Sequence, residues 1–214
     1  MHQLRISEIF HSLQGETNTV GVPTTFIRLT GCPLRCGYCD SEYAFSGGEM
    51  LSFDDILEKT ASYQPRFVTV TGGEPLAQPN CLPLLSALCD AHYSVSIETS
   101  GALDVKDIDP RVSIVMDLKT PGSGECGQNR YVNLDHLRAK DQLKFVITSR
   151  EDYDWAKEIV MERQLHQVVT DVLFSPSYED MKPLSLANWI VEDNLPVRFQ
   201  MQLHKLLWGD QPGF

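Results

Sequence analysis

The stretch Gly31-Cys32-Pro33-Leu34-Arg35-Cys36-Gly37-Tyr38-Cys39-Asp40 decides how the rest of this chain is read. Its cysteines are spaced C-x3-C-x2-C, so their thiolates can hold three irons of a cubane iron–sulfur cluster. Such clusters are ordinarily held by four cysteines, and a local trio leaves one iron open to an outside ligand. An open iron points to catalysis rather than electron storage. A structural zinc knot is the competing reading, but it uses four ligands in paired C-x2-C or histidine spacings. No C-x2-C partner and no H-x3-H pair exists elsewhere in the chain. Incidental cysteines are the third reading. The ligand count favours the cluster.

Upstream of this loop, residues 24–29 (TTFIRL) are β-branched and aromatic, a strand that delivers the chain into it. Residues 4–10 alternate as another strand, followed by a polar loop His11-Ser12-Leu13-Gln14-Gly15-Glu16. Downstream, Ser52-Phe53-Asp54-Asp55 resembles a capping box with Asp in place of Glu and opens a helix to about Tyr63. An apolar run at 67–70 ends in Thr71-Gly72-Gly73-Glu74-Pro75, and Leu82, Leu85 and Leu88 give a helical face. Residues 94–98 (SVSIE) alternate and end in Thr99-Ser100-Gly101. Further strands are expected at 112–117, 143–147, 171–174 and 197–201, with helices from Ser149 to about His166 and from Pro183.

Strands alternating with helices predict a parallel sheet with right-handed crossovers. The segments GCPLRC, TGGEP, ETSG, DLKTPG and SPS sit just after strands. In a parallel barrel those ends open on one face, where active sites form. The units are too few for eight, so the expected fold class is α/β: a partial, open TIM-like barrel of about six parallel strands with helices outside. Residues 1–214 are read as one domain with short N- and C-terminal extensions.

The formal charge is −11, from 18 basic and 29 acidic residues, which argues against a broad phosphate-backbone footprint and so against nucleic acid. No run approaches the roughly 18 apolar residues of a membrane span. Met1-His2-Gln3-Leu4-Arg5-Ile6 lacks the apolar region of a signal peptide. Six cysteines in that setting favour a reduced cytoplasm. Cys81 and Cys89 read as core or surface thiols beside an apolar helix, while Cys126, in a Gly-rich loop, is the remaining candidate for a fourth cluster ligand.

Taken together, GCPLRCGYCD, TGGEP, ETSG and the strand–helix rhythm resemble the radical S-adenosylmethionine (SAM) superfamily. There the open iron is chelated by the amino and carboxylate groups of SAM's methionine. The resemblance therefore implies two cofactors, a 4Fe-4S cluster on Cys32, Cys36 and Cys39, and SAM. Gly72 and Gly73, lacking a Cβ, let the backbone approach a ligand closely, and Glu74 is placed to accept from the methionine ammonium group. Phe10-His11-Ser12-Leu13-Gln14-Gly15-Glu16, Phe26-Ile27-Arg28-Leu29, Cys39-Asp40-Ser41 and Gln202-Leu203-His204-Lys205 narrow the resemblance to the 7-carboxy-7-deazaguanine synthase family of queuosine and 7-deazapurine biosynthesis. It spans nearly the whole chain, more loosely over 121–179.

That family resemblance implies a carbon–nitrogen lyase. It contracts the ring of 6-carboxy-5,6,7,8-tetrahydropterin to 7-carboxy-7-deazaguanine and releases ammonia, with SAM acting catalytically. It further implies Mg²⁺, a homodimer and an external one-electron reductant such as flavodoxin. The implied substrate contacts are Leu13, Gln14, Gly15, Glu16, Thr71, His204, the carboxylate of Phe214 and Arg28, whose planar fork suits the pterin carboxylate. Ser41 falls on a Mg²⁺ position usually held by Thr and keeps the hydroxyl. The implied SAM contacts are Tyr38, Cys39, Asp40, Gly73, Glu74 and Ser100, then Asp117-Leu118-Lys119 and Ser175-Pro176-Ser177-Tyr178. Asp117 departs from a common Ser-Pro-Lys pattern although Lys119 is retained, Ser175-Pro176 stands where Gln-Pro is usual, and Thr17 replaces a frequent Gly. No side chain is expected to be catalytic beyond the cluster and SAM. A glycyl-radical enzyme activase would leave LQGE, Cys39-Asp40-Ser41 and His204-Lys205 unexplained, and a non-catalytic iron–sulfur carrier would have no need of TGGEP.

Overall fold

The computed structural model describes residues 2–178, 180–209, 211 and 213. In chain order its main elements are β1 (Gln3–Leu13), β2 (Pro23–Leu29), β3 (Glu49–Ser52), α1 (Phe53–Ser62), β4 (Phe67–Gly72), α2 (Cys81–Asp90), β5 (Ser94–Thr99) and β6 (Ser113–Asp117). There follow β7 (Gln142–Ile147), α3 (Arg150–Glu162), α4 (Leu165–Val168), β8 (Asp171–Pro176), α5 (Pro183–Glu192), β9 (Arg198–Phe199) and α6 (Leu203–Trp208).

Among the described residues the strands form one open sheet in the order β3-β1-β2-β4-β5-β6-β7-β8-β9. Every neighbouring pair from β2 to β9 is parallel, because a helix or a long loop carries the chain back to the starting edge each time. The expected six-strand parallel core is β2 and β4 to β8. To it the chain adds β1 and β3, with β1 antiparallel to both β2 and β3, and the two-residue β9.

The central strands are buried along almost their whole length, as parallel strands covered on both faces must be. Ile27, Val68, Val70, Ile97, Leu143 and Phe145 meet Ile56 of α1, Leu84, Leu85 and Leu88 of α2, and Tyr153 of α3 in a single apolar cluster. Each fully buried leucine there contributes about 1.5–3 kcal/mol. Tyr153 is wholly buried, and its hydroxyl reaches Asp193 Oδ2 at 2.6 Å and Trp189 O at 2.9 Å, tying α3 to α5.

Several boundaries differ from the sequence expectation. β1 runs on through the polar 11–13 segment, because pairing with β2, a Phe10–Phe26 stack at 5.0 Å and a His11–Thr25 hydrogen bond of 2.9 Å outweigh weak local propensity. β3 has no β-branched residue and forms only by pairing with β1. The helix begun at Ser149 stops at Glu162, and Gln164 at φ 53° breaks it from α4. β8 takes in Ser175 and Pro176, which pair with Val146 and Ile147. The last strand is only Arg198–Phe199, and the tail forms α6. The capping box at Ser52 is present, each partner's backbone N–H donating to the other's side chain. Among the described residues no helix is long and apolar enough to cross a membrane.

Candidate active site

β2 hands the chain to Gly31, whose φ of 102° suits glycine and starts the cysteine loop. Three neighbours hold that loop. Gly31 N donates to Ala44 O at 2.7 Å, Gly31 O accepts from Glu74 N at 2.8 Å, and Gly37 N donates to Ser123 O at 3.0 Å. Arg35 folds back to donate to Cys32 O at 2.9 Å and packs over Phe45 at 4.3 Å. A Cβ on Gly73 would lie 2.4 Å from Gly31 O and 2.7 Å from Cys32 Cβ. Gly73 is thus needed for the turn after β4 to press against the loop itself.

Cys32, Cys36 and Cys39 are free, half-buried, and line one cavity of about 610 Å³. Burial pushes all three thiols up, and the Lys119 ammonium pulls each back down. Among the described residues no three His, Cys, Asp or Glu side chains are grouped to hold a metal ion. A zinc knot needs its donors on one ion, whereas a cubane places each thiolate on a separate iron. The donor set fits the cluster. Cys126 lies off the cavity wall, and Cys81 and Cys89 are buried on α2.

Around the thiols the strand ends supply polar groups. Asp117 Oδ2 accepts from Lys119 Nζ at 2.8 Å, and that Nζ lies 5.7 Å from the centre of the Tyr38 ring. Asp117 Oδ1 and Tyr38 Oη are buried with no protein partner. A buried polar atom left unpaired costs about 1–3 kcal/mol, so both are arranged for a ligand with polar groups of its own. Leu118, between Asp117 and Lys119 in the chain, is buried in the core. Ser100 and Thr99 line the cavity, but Glu74 lies behind them, fully buried. Its carboxylate already accepts from Leu76 N, Thr99 Oγ1, Ser100 N and Ser100 Oγ, so it positions the end of β5 from beneath. Ser177 and Tyr178 reach the wall, whereas Ser175 and Pro176 are buried in β8 off it. Ser41 and Asp40 also line it, Ser41 Oγ donating to Asp40 Oδ1 at 2.7 Å.

The remaining wall is charged and assembled from distant parts of the chain. Gln14 is buried, accepts from Gly15 N and Glu16 N, and donates to Glu98 Oε1 at 3.2 Å. Thr71 Oγ1 donates to the other Glu98 oxygen at 3.2 Å. Glu16 forms an ion pair with Lys144 and accepts from Gln202 Nε2. Burial alone would raise the Glu16 carboxyl, but Lys144 and His204 bring it down to about 2. Burial and then the charge of Glu16 push Glu98 the other way, up. Leu203 N donates to Gly15 O at 3.1 Å, and a Cβ on Gly15 would lie 2.3 Å from His204 Nδ1. Arg28 Nε donates to Glu8 Oε1 at 2.8 Å. Leu13 is on the wall as well. Phe214 lies outside the described residues.

Sequence reasoning missed Glu8, Phe10, Tyr43, Lys144 and Gln202 as wall residues. Lys144 left a signal, a lone cation inside the apolar run LKFVI, and Glu8 another, a carboxylate in an alternating strand. Tyr43 left none.

An open parallel sheet whose strand ends gather three free thiols around one cavity is the architecture of radical SAM proteins, and the family model described as the Radical SAM superfamily matches residues 26–122. A 7-carboxy-7-deazaguanine synthase from Koribacter versatilis is 42% identical, the match covering 96% of this chain and 97% of the relative. One from Chlorobaculum tepidum is 41% identical over 96% of this chain and 94% of its own length. Among solved structures, QueE from Escherichia coli superposes with a TM-score of 0.72 at 25% identity, covering 94% of this chain and 95% of that one. The chain belongs to the 7-carboxy-7-deazaguanine synthase family.

Proposed function

We infer that this chain is a carbon–nitrogen lyase that converts 6-carboxy-5,6,7,8-tetrahydropterin to 7-carboxy-7-deazaguanine with release of ammonia. One observation carries the reading: a single cavity is lined both by three open thiols and by Gln14 with the charged set Glu16, Arg28, Glu98 and Lys144. A cluster carrier has no use for the second set.

Cys32, Cys36 and Cys39 would hold the cluster, and Tyr38, Asp40, Gly73, Ser100, Asp117, Lys119, Ser177 and Tyr178 line the space for SAM. When bound, the cluster and SAM supply the one-electron chemistry that removes a hydrogen atom from the pterin. The chain's own residues bind and orient. Among the described residues only Nε of the Arg28 guanidinium donates to a protein acceptor, leaving both amino groups for the pterin carboxylate. Glu16 stays ionised at neutral pH and, with Glu98, offers acceptors to the N–H edge of the pterin. Ser41 and Asp40 offer two hard oxygens to Mg²⁺, which completes its shell from water and substrate. Phe10, Phe26, Val115 and Val146 give the cavity apolar walls that exclude water. A homodimer fed by an external one-electron donor such as flavodoxin is the proposed working form.

The test is anaerobic reconstitution with iron and sulfide, then reduction in the presence of SAM, Mg²⁺ and the carboxytetrahydropterin. Mass spectrometry should find 7-carboxy-7-deazaguanine, ammonia and SAM recovered intact. SAM cleavage without a pterin-derived product would indicate another radical SAM activity, such as glycyl-radical activation. No SAM cleavage at all would leave an iron–sulfur carrier.

A further inference from the structure

We propose that Glu8 is a positioning residue for substrate selection: it fixes Arg28 so that only its two terminal amino groups face the ligand, and through Tyr43 it holds the Ser41 turn at the cavity mouth. The proposal rests on Arg28 receiving the pterin carboxylate, as inferred above.

The backbone arranges this pairing. β1 and β2 are in antiparallel register, Ile6 opposite Leu29, but the register shifts before Glu8, which then stands opposite Arg28. Without the extra residue, Ser7 would occupy that place. Bulges of this kind re-aim side chains beside active sites. Directly opposed residues share a face, and Glu8, Phe10, Phe26 and Arg28 all line the cavity.

Glu8 Oε1 accepts twice, from Arg28 Nε at 2.8 Å and from Tyr43 Oη at 2.7 Å. The guanidinium carbon lies 5.8 Å from the ring centres of both Phe10 and Tyr43. A guanidinium can grip a carboxylate side-on, through Nε and one amino group, or end-on through both amino groups. Glu8 occupies Nε and so removes the side-on option. The rings limit the tilt of the plane. Tyr43 belongs to the short turn Glu42–Phe45 that follows Asp40 and Ser41, so one carboxylate sets the arginine and tethers the segment carrying the candidate Mg²⁺ ligands.

The experiment compares anaerobic binding of 6-carboxytetrahydropterin and of tetrahydropterin lacking the carboxylate, using SAM-loaded holoenzyme. Glu8→Ala should weaken the carboxylated pterin about tenfold, the size of one charge-assisted hydrogen bond, and leave the uncarboxylated pterin and SAM unchanged. Glu8→Gln, whose amide oxygen still accepts from Nε, should recover most of the loss. Equal weakening of both pterins by Glu8→Ala would overturn the role. If Glu8→Ala does not fold or load iron, Tyr43→Phe carries the test: about a threefold loss confined to the carboxylated pterin is expected, and no change overturns it. Arg28→Ala distinguishes the two levels. If it abolishes the preference for the carboxylate while Glu8→Ala leaves that preference unchanged, only the role of Glu8 falls. If the preference survives Arg28→Ala, the carboxylate sits elsewhere and the underlying reading falls first.

Discussion

The thiol-bearing and charged parts of the cavity wall are built on opposite plans. The first comes from one short loop, pinned by backbone hydrogen bonds, and it is left chemically unfinished: three free thiols and the unpartnered Tyr38 Oη, together with the equally unpartnered Asp117 Oδ1 at the end of β6. The second joins residues 128 and 186 positions apart, and its charges are already answered, Glu16 by Lys144 and Gln202. The difference teaches which part needs a cofactor to be complete and which is preorganised before any ligand arrives.

The sharpest test of that contrast is Cys36→Ala. With two local thiolates left, cluster assembly and activity should both be lost, read as iron content and the electron paramagnetic resonance signal of the reduced protein. A fully iron-loaded variant would erase the distinction. On the charged part, Lys144→Met strands the Glu16 carboxylate inside the wall. Breaking a buried pair in this way costs about 3–5 kcal/mol, to be seen in urea unfolding, while the thiols should still take up iron.

A pH series refines the same point. The Glu16 carboxyl sits at about 2 when folded against an ordinary 4.5, so its contribution to stability is complete above pH 4.5 and disappears as pH falls toward 2. Wild-type stability should therefore drop through that window, and Lys144→Met should drop less steeply. Equal slopes would mean that Lys144 does not hold the carboxylate ionised. The smallest effect is expected at Ser41→Ala, which should weaken the dependence of turnover on Mg²⁺ without changing iron content. An unaltered Mg²⁺ response would remove Ser41 from the metal site.

The thiol-bearing part was legible in the sequence because its chemistry is local: three cysteines within eight residues, then TGGEP and ETSG at the ends of consecutive strands. The parallel core was legible for a similar reason, since β-branched runs between helices leave few alternatives. The charged part was legible only as far as Leu13-Gln14-Gly15-Glu16, Arg28, Thr71 and His204, and then through the family resemblance. Lys144 and Glu8 join it through strand order and a register shift, and Gln202 through the docking of the start of α6 on residues 14–17, all of them properties of pairing between distant segments. Glu74 shows the reverse case. Its motif marked it as a ligand contact, yet four donors from its own neighbourhood occupy the carboxylate behind the wall.

The meeting of residues 14–17 with α6 carries a consequence for recombination between homologues. Gln200 Nε2 donates to Thr17 O, Leu203 N to Gly15 O and Gln202 to Glu16, and Gly15 leaves no space for a side chain beneath the His204 imidazole. A chimera that takes its first twenty residues from one parent and its last fifteen from another would have to rebuild all of these at once. Crossovers that inherit both ends from the same parent should be the ones that survive.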